Sequence, residues 1–152
     1  MKPLVGRPVS KQFPISSYFG MRKHPVYGIE KPHNGIDFAC PVGTEVRAIL
    51  DGKIERVGYE NPADPKVGFG LRVWQEVDIK DDFYLVVYSH LSETRVEEGD
   101  HIEKGGLIGK SGNTGNTIYG DPPIPHSCLH LGMKSEDTPT YYDMDFEDEK
   151  ET

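Results

Sequence analysis

The residues of this chain that could do chemistry fall in three short stretches. PHNGIDFACP (32–41) sets His33 and Asp37 four apart, FYLVVYSH (83–90) ends on His90, and HSCLHLGM (126–133) carries His126, Cys128 and His130 at alternate positions. Imidazole nitrogen and carboxylate oxygen both suit zinc. Two histidines, one carboxylate and a fourth position open to water are the composition of a catalytic zinc site, whereas a fourth protein ligand closes a site and makes it structural. His33, Asp37 and His130 supply the first set, and Cys128 is available as the closing ligand. Sequence alone leaves both arrangements open.

Such side chains must be aimed by the elements that carry them. Asn34-Gly35 opposes a helix between His33 and Asp37, and in an extended chain positions i and i+4 share a face. Phe38 then points to the core. By the same alternation Leu129 and Leu131 face the core, with Cys128 and His130 opposite. In FYLVVYSH, Val86, Tyr88 and His90 fall on one face. A lone histidine at a strand end is more often a structural hydrogen bonder than a catalyst, so the claim of His90 depends on its company. His24 reads as cleft rim and His101 as surface. Alternation also puts Cys40 with Phe38 and Cys128 with His130, on opposite faces, so no Cys40–Cys128 bridge is expected.

The elements themselves read as β. Seventeen glycines and twelve prolines punctuate the chain at the spacing of short strands. EVRAILDGKIERVGY (45–59) predicts a hairpin turning at Asp51-Gly52, a strong hairpin signal. LRVWQEVDIKDDFYLVVYSHL (71–91) predicts a second hairpin turning at Lys80-Asp81-Asp82. No segment keeps apolar residues at helical spacing for three turns. The expected fold is mostly β, a compact antiparallel domain with long loops. Two of those loops, 59–70 and 113–127, exceed the usual connection length and suit cleft walls.

The 152 residues suit one domain, placed at 1–135. From Glu136 onward eight acidic residues face one basic residue, whereas the preceding 135 residues carry 17 acidic and 16 basic side chains. The net charge of -8 therefore belongs mostly to segment 136–152, read as a solvated acidic tail. The nearly neutral body offers no nucleic-acid footprint. No apolar run is long enough to span a membrane. The opening MKPLVGRPVSKQFP has no apolar core of a secretory signal, which is compatible with removal of a leader from a longer precursor. Two cysteines make no disulfide framework.

Taken in order, these blocks resemble the lysostaphin-type, or LytM-like, zinc metalloendopeptidases of peptidoglycan. SSYFGMRKHPVYG is similar to the family's opening segment, and PHNGIDFACPVGTEVRAILDGKIERVG to its HxxxD block and following hairpin. VVYSHLS resembles its third block, and EEGDHIEKGGLIGKSGNTGNT the glycine-rich segment before the last motif. The resemblance spans about residues 13 to 133. It implies a small antiparallel β domain with a substrate groove, similar to a duplicated-hybrid-motif barrel.

By that resemblance one zinc ion is held by His33, Asp37 and His130, and His90 stands outside the metal shell to stabilise the transition state or assist the water. The implied activity is endopeptidase cleavage of peptidoglycan cross-links or stem peptides. The implied protein is a monomer that acts outside the cytoplasm, whether secreted, periplasmic or phage-delivered. One position departs from the pattern, because Cys128 stands where the family has a second catalytic histidine. Three outcomes follow. His126 reaches back as the replacement; Cys128 acts as thiolate base or fourth ligand; or the domain is an impaired relative that binds cell wall or a partner hydrolase without cleaving.

Overall fold

Alternating β-branched and aromatic runs, cut by glycine and proline, give a chain made almost wholly of strands. The computed structural model describes residues 2–23, 30–115, 118–119, 124–125 and 129–147. Its strands are β1 (Leu4–Val5), β2 (Ile15–Ser17), β3 (Gly20–Lys23), β4 (Glu30–His33), β5 (Ile36–Phe38), β6 (Glu45–Arg47), β7 (Gly52–Tyr59), β8 (Leu71–Ile79) and β9 (Asp82–Ser89). They continue with β10 (Leu91–Thr94), β11 (His101–Ile102), β12 (Leu107–Ser111), β13 (Ile118–Tyr119), β14 (Ile124–Pro125), β15 (Leu129–Ser135), β16 (Tyr141–Tyr142) and β17 (Asp145–Phe146).

The main sheet runs β11-β7-β8-β9-β15-β5-β2, with β16 also paired to β15, and every pairing in it is antiparallel. A second sheet, β10-β12-β6, lies over it. Ile36, Phe38, Val73, Val86, Tyr88, Leu129 and Leu131 of the main sheet join Val46, Leu91 and Ile108 of the second in one buried cluster. The fold is the expected mostly antiparallel β domain, and each sheet is an open path with two ends among the described residues, without closure into a barrel.

The two expected hairpins fare differently. Lys80 (φ 53°) and Asp81 (φ 72°) form the tight turn between β8 and β9, with Ile79 opposite Asp82. Both turn residues are left-handed, as a type I′ turn needs, and Asp78 Oδ1 accepts the Asp81 amide at 2.9 Å. Asp51-Gly52 makes no such turn. Gly52 is absent from the left-handed glycines, β6 pairs with β12, and β7 pairs with β8 and β11. Residues 48–51 instead carry the chain from one sheet to the other, with Ala48 and Ile49 buried.

A polar network fastens this crossing. The buried Tyr88 hydroxyl donates to Gln75 Oε1 at 2.7 Å and accepts the Ile49 amide at 3.1 Å, while Gln75 Nε2 donates to the Leu50 carbonyl at 2.9 Å. Burial raises the Tyr88 pKa well above the ordinary phenol value, so the hydroxyl keeps its proton.

Part of the acidic segment belongs to the fold. Its apolar residues alternate with its acids: Met144 and Phe146 are buried, and the Phe146 ring meets Phe38 edge-on at 5.6 Å. β17 pairs in parallel with β1, and Glu147 forms an ion pair with Lys104.

Tyr88→Phe strands the Ile49 amide and the Gln75 carbonyl in the core. It is expected to cost on the order of 1–3 kcal/mol of stability. Urea denaturation of the two proteins side by side measures this.

Candidate metal centre

The pairing of β15 with β5 sets Asp37 directly opposite His130, and His130 is also opposite Ser89 of β9. Leu129 and Leu131 are fully buried in the core, as alternation predicts, and Asp37 and His130 occupy the other face. His33 reaches them differently from the expected extended run. A four-residue extended span would separate two side chains by about 13 Å. β4 ends at His33 and β5 begins at Ile36, so the chain breaks at Asn34-Gly35 and folds His33 back onto Asp37.

His33 Nε2 then lies 3.2 Å from Asp37 Oδ2, and His130 Nδ1 lies 2.8 Å from Asp37 Oδ1. One ligand atom from each of the three residues falls within 4.8 Å of the others. All three side chains are buried. Burial pushes the Asp37 carboxyl pKa up. The hydrogen bonds and positive charge that protonated His130 and His33 supply outweigh it and hold Asp37 well below the usual carboxylate range.

The surroundings fix the imidazoles. His33 Nδ1 sits 2.9 Å from the Tyr18 carbonyl, which can only accept, so that nitrogen carries a proton. In neutral His33 the Nε2 lone pair therefore faces the Asp37 carboxylate, two electron-rich atoms that need a cation between them. His130 Nε2 is buried with no hydrogen-bond partner among the described residues. The Phe69 ring stacks on His130 at 5.4 Å and 26°. Gly35 closes the other side: a Cβ there would come within 2.6 Å of His130 Cε1 and Nε2. This donor set, with an outer partner orienting His33, fits a single divalent metal ion.

His90 lies beside this cluster, its ring 6.0 Å from that of His130. Strand alternation would have sent it to the core with Val86 and Tyr88. A left-handed backbone (φ 64°) turns it out instead, a conformation costing on the order of 1–3 kcal/mol in a residue other than glycine. Its amide donates to the Phe69 carbonyl at 2.8 Å, and its Nδ1 lies 2.7 Å from the Thr114 carbonyl. Nδ1 therefore holds a proton. The Thr114 hydroxyl donates to the Leu91 carbonyl and accepts the Leu71 amide. Gly70 and Gly115, both with positive φ, cross in backbone contact and lock loop 59–70 to the loop that follows β12. Phe69 and Thr114 were missed by sequence reasoning. The signal for Phe69 was its place between two glycines in VGFG.

His24, His126 and Cys128 lie outside the described residues, and His101 is exposed on β11. Cys40 is disulfide-bonded, and the described residues include no free cysteine, which overturns the expected absence of a bridge. The reason is that β5 stops at Phe38. The Ala39 amide already bonds to the Pro14 carbonyl, so strand alternation does not extend to Cys40.

Two imidazoles and a carboxylate converge on one face of an antiparallel β scaffold, a group that could hold a single metal ion. The model described as Peptidase family M23 matches residues 31–141, and the chain belongs to that family, a family of metallopeptidases. An uncharacterized metalloprotease of Haemophilus influenzae is 39% identical over 109 residues, covering 71% of this chain and 21% of that protein. The peptidoglycan DD-endopeptidase ShyA of Vibrio cholerae is 38% identical over 109 residues, covering 71% and 23%. The chain thus spans about a fifth of the length of these relatives. Among solved structures, the catalytic domain of lysostaphin from Staphylococcus simulans superposes with a TM-score of 0.65 at 26% identity, covering 89% of this chain and 94% of that one. A zinc-containing peptidase from Vibrio cholerae gives 0.64 at 32% identity, covering 88% and 37%.

Gly35→Ala drives a methyl into the His130 ring. It is expected to weaken metal binding by roughly 10–100-fold, the scale of a displaced ligand orientation. Competitive titration with a chromogenic chelator reads this directly.

Proposed function

We propose that this chain is a zinc-dependent endopeptidase that hydrolyses peptide bonds in peptidoglycan cross-links or stem peptides. The observation that carries this reading is the convergence of His33, Asp37 and His130, with His90 beside them, in a member of family M23. The names of the relatives as peptidoglycan endopeptidases support the substrate class.

His33, Asp37 and His130 would hold the ion, whose bound form lowers the pKa of water and polarises a scissile carbonyl. Asp37, ionised and buried, supplies the negative charge that two neutral imidazoles lack. His33 is kept in the ligating tautomer by the Tyr18 carbonyl. His90, its ring held by Thr114, stands beside the three ligands. Protonated, it donates to a developing oxyanion; neutral, it accepts a proton from the attacking water.

The disulfide at Cys40 suits action outside the cytoplasm, where the cell wall lies.

Purified protein incubated with isolated cell wall is expected to release new amino termini. EDTA should stop the release and added zinc should restore it. No release from zinc-saturated protein at any pH would sink the proposal in favour of a non-cleaving binder. His33→Ala is expected to lose both metal and activity. His90→Ala should keep the metal while activity falls by roughly 10²–10⁴-fold, as read by metal analysis and amino-terminus release on the same samples.

A further inference from the structure

The face of the main sheet that carries Asp37 and His130 continues beyond them. Register places Gly132 opposite Val87 and Val87 opposite Trp74. Two residues further along, Lys134 is opposite Leu85. Trp74 is opposite Arg56 on β7, and Arg72 is opposite Gly58. Since positions i and i+2 share a face, Arg72, Trp74, Leu85 and Lys134 lie on the same side as His130. Gly132 carries no side chain, so the floor between His130 and Lys134 stays low.

A cavity of about 290 Å³ opens on this face, walled by Phe69, Trp74, Leu85, Arg56, Arg72 and Lys134. Phe69 is the wall it shares with the metal centre: its ring stacks on His130 and meets Trp74 edge-on at 6.2 Å. A peptide whose scissile bond lay at the metal centre would reach the cavity within about three extended residues, at ~3.3 Å each.

Arg72 is the unusual group there. It is 7% exposed, and one guanidinium nitrogen donates to the Gly58 carbonyl at 2.9 Å. No carboxylate lies within ion-pair distance of it among the described residues. None of its nitrogens is among the buried atoms without a partner, so its remaining donors open to solvent at the cavity, where an incoming acceptor can reach them. The nearby acid, Glu60, is already engaged: Glu60 Oε1 accepts the Phe69 amide at 3.3 Å and the carboxylate packs on Gly68. Glu55 also lines the cavity and is exposed, which leaves three cations against two acids. Lys134 is held in place by the Ser135 and Thr138 carbonyls.

We infer that this cavity is a carboxylate-binding subsite of the substrate groove, in which Arg72 receives an acidic group of the peptide over an apolar floor of Trp74 and Leu85. A guanidinium takes a carboxylate with two parallel hydrogen bonds, a geometry that a carboxamide cannot match because one of its two ends is a donor. The subsite therefore distinguishes stem peptides bearing a free carboxylate from amidated ones. This rests on the peptidase reading for the identity of the ligand.

The test uses two synthetic cross-linked stem peptides that differ only in whether the acidic residue beside the cross-link is a carboxylate or its carboxamide. Binding to the zinc-loaded full chain is measured by calorimetry, and cleavage by mass spectrometry. The carboxylate peptide is expected to bind at least about tenfold more tightly, a preference that Arg72→Gln removes and Lys134→Gln reduces. Melting curves and zinc content show whether each variant is folded, and the wild-type comparison stands without either. Equal binding of the two peptides, binding of neither, or a preference that survives in folded Arg72→Gln overturns the subsite. Preferential binding without cleavage keeps the subsite and rejects the hydrolytic reading; cleavage of both peptides with equal binding does the reverse.

Discussion

One pairing governs the rest: β5 against β15, with Asp37 opposite His130. Because side chains alternate, a slip of one residue would send Asp37 into the core and Phe38 into the groove. The register is held from the core side, where Ile36, Phe38, Leu129 and Leu131 are buried together. The apolar face thus positions the polar one. His33 is added by the break at Asn34-Gly35, and the absence of a side chain at Gly35 lets the two segments close around the His130 ring.

The sequence made this much legible because its two faces differ so sharply. Leu-His-Leu and Ile-Asp-Phe each alternate apolar with ionisable residues, and alternation is a local property. What alternation could not carry was any residue just past a strand end. His90 departs from its strand face through one left-handed dihedral, and Cys40 lies two residues beyond the end of β5. The turns show the same limit. Asp51-Gly52 has the composition of a hairpin turn, yet its flanking strands belong to different sheets, a long-range outcome that local composition does not encode. Lys80-Asp81 makes the tighter turn because β8 and β9 are matched along their whole length.

Loop packing was less legible still. Phe69 and Thr114 act on the site through backbone carbonyls and ring stacking, and neither belongs to a pattern of chemically distinctive residues. Arg72 and Trp74 stand in a strand that reads as ordinary alternation. Only the sheet order, which brings β8 next to β9 and β9 next to β15, shows that their face is the one carrying the metal cluster.

The crossing of Gly70 and Gly115 has a consequence for how such a site can diversify. It makes the two walls that hold Phe69 and His90 a single mechanical unit, intolerant of even a methyl group at the contact. The neighbouring stretch 61–67 is different. It is mostly exposed and is built from short local turns in which Asn61 and Asp64 cap the amides of Ala63 and Lys66. Sequence can vary there while the arrangement of His33, Asp37, His90 and His130 stays fixed, so one rim beside the cluster is free to change without disturbing its geometry.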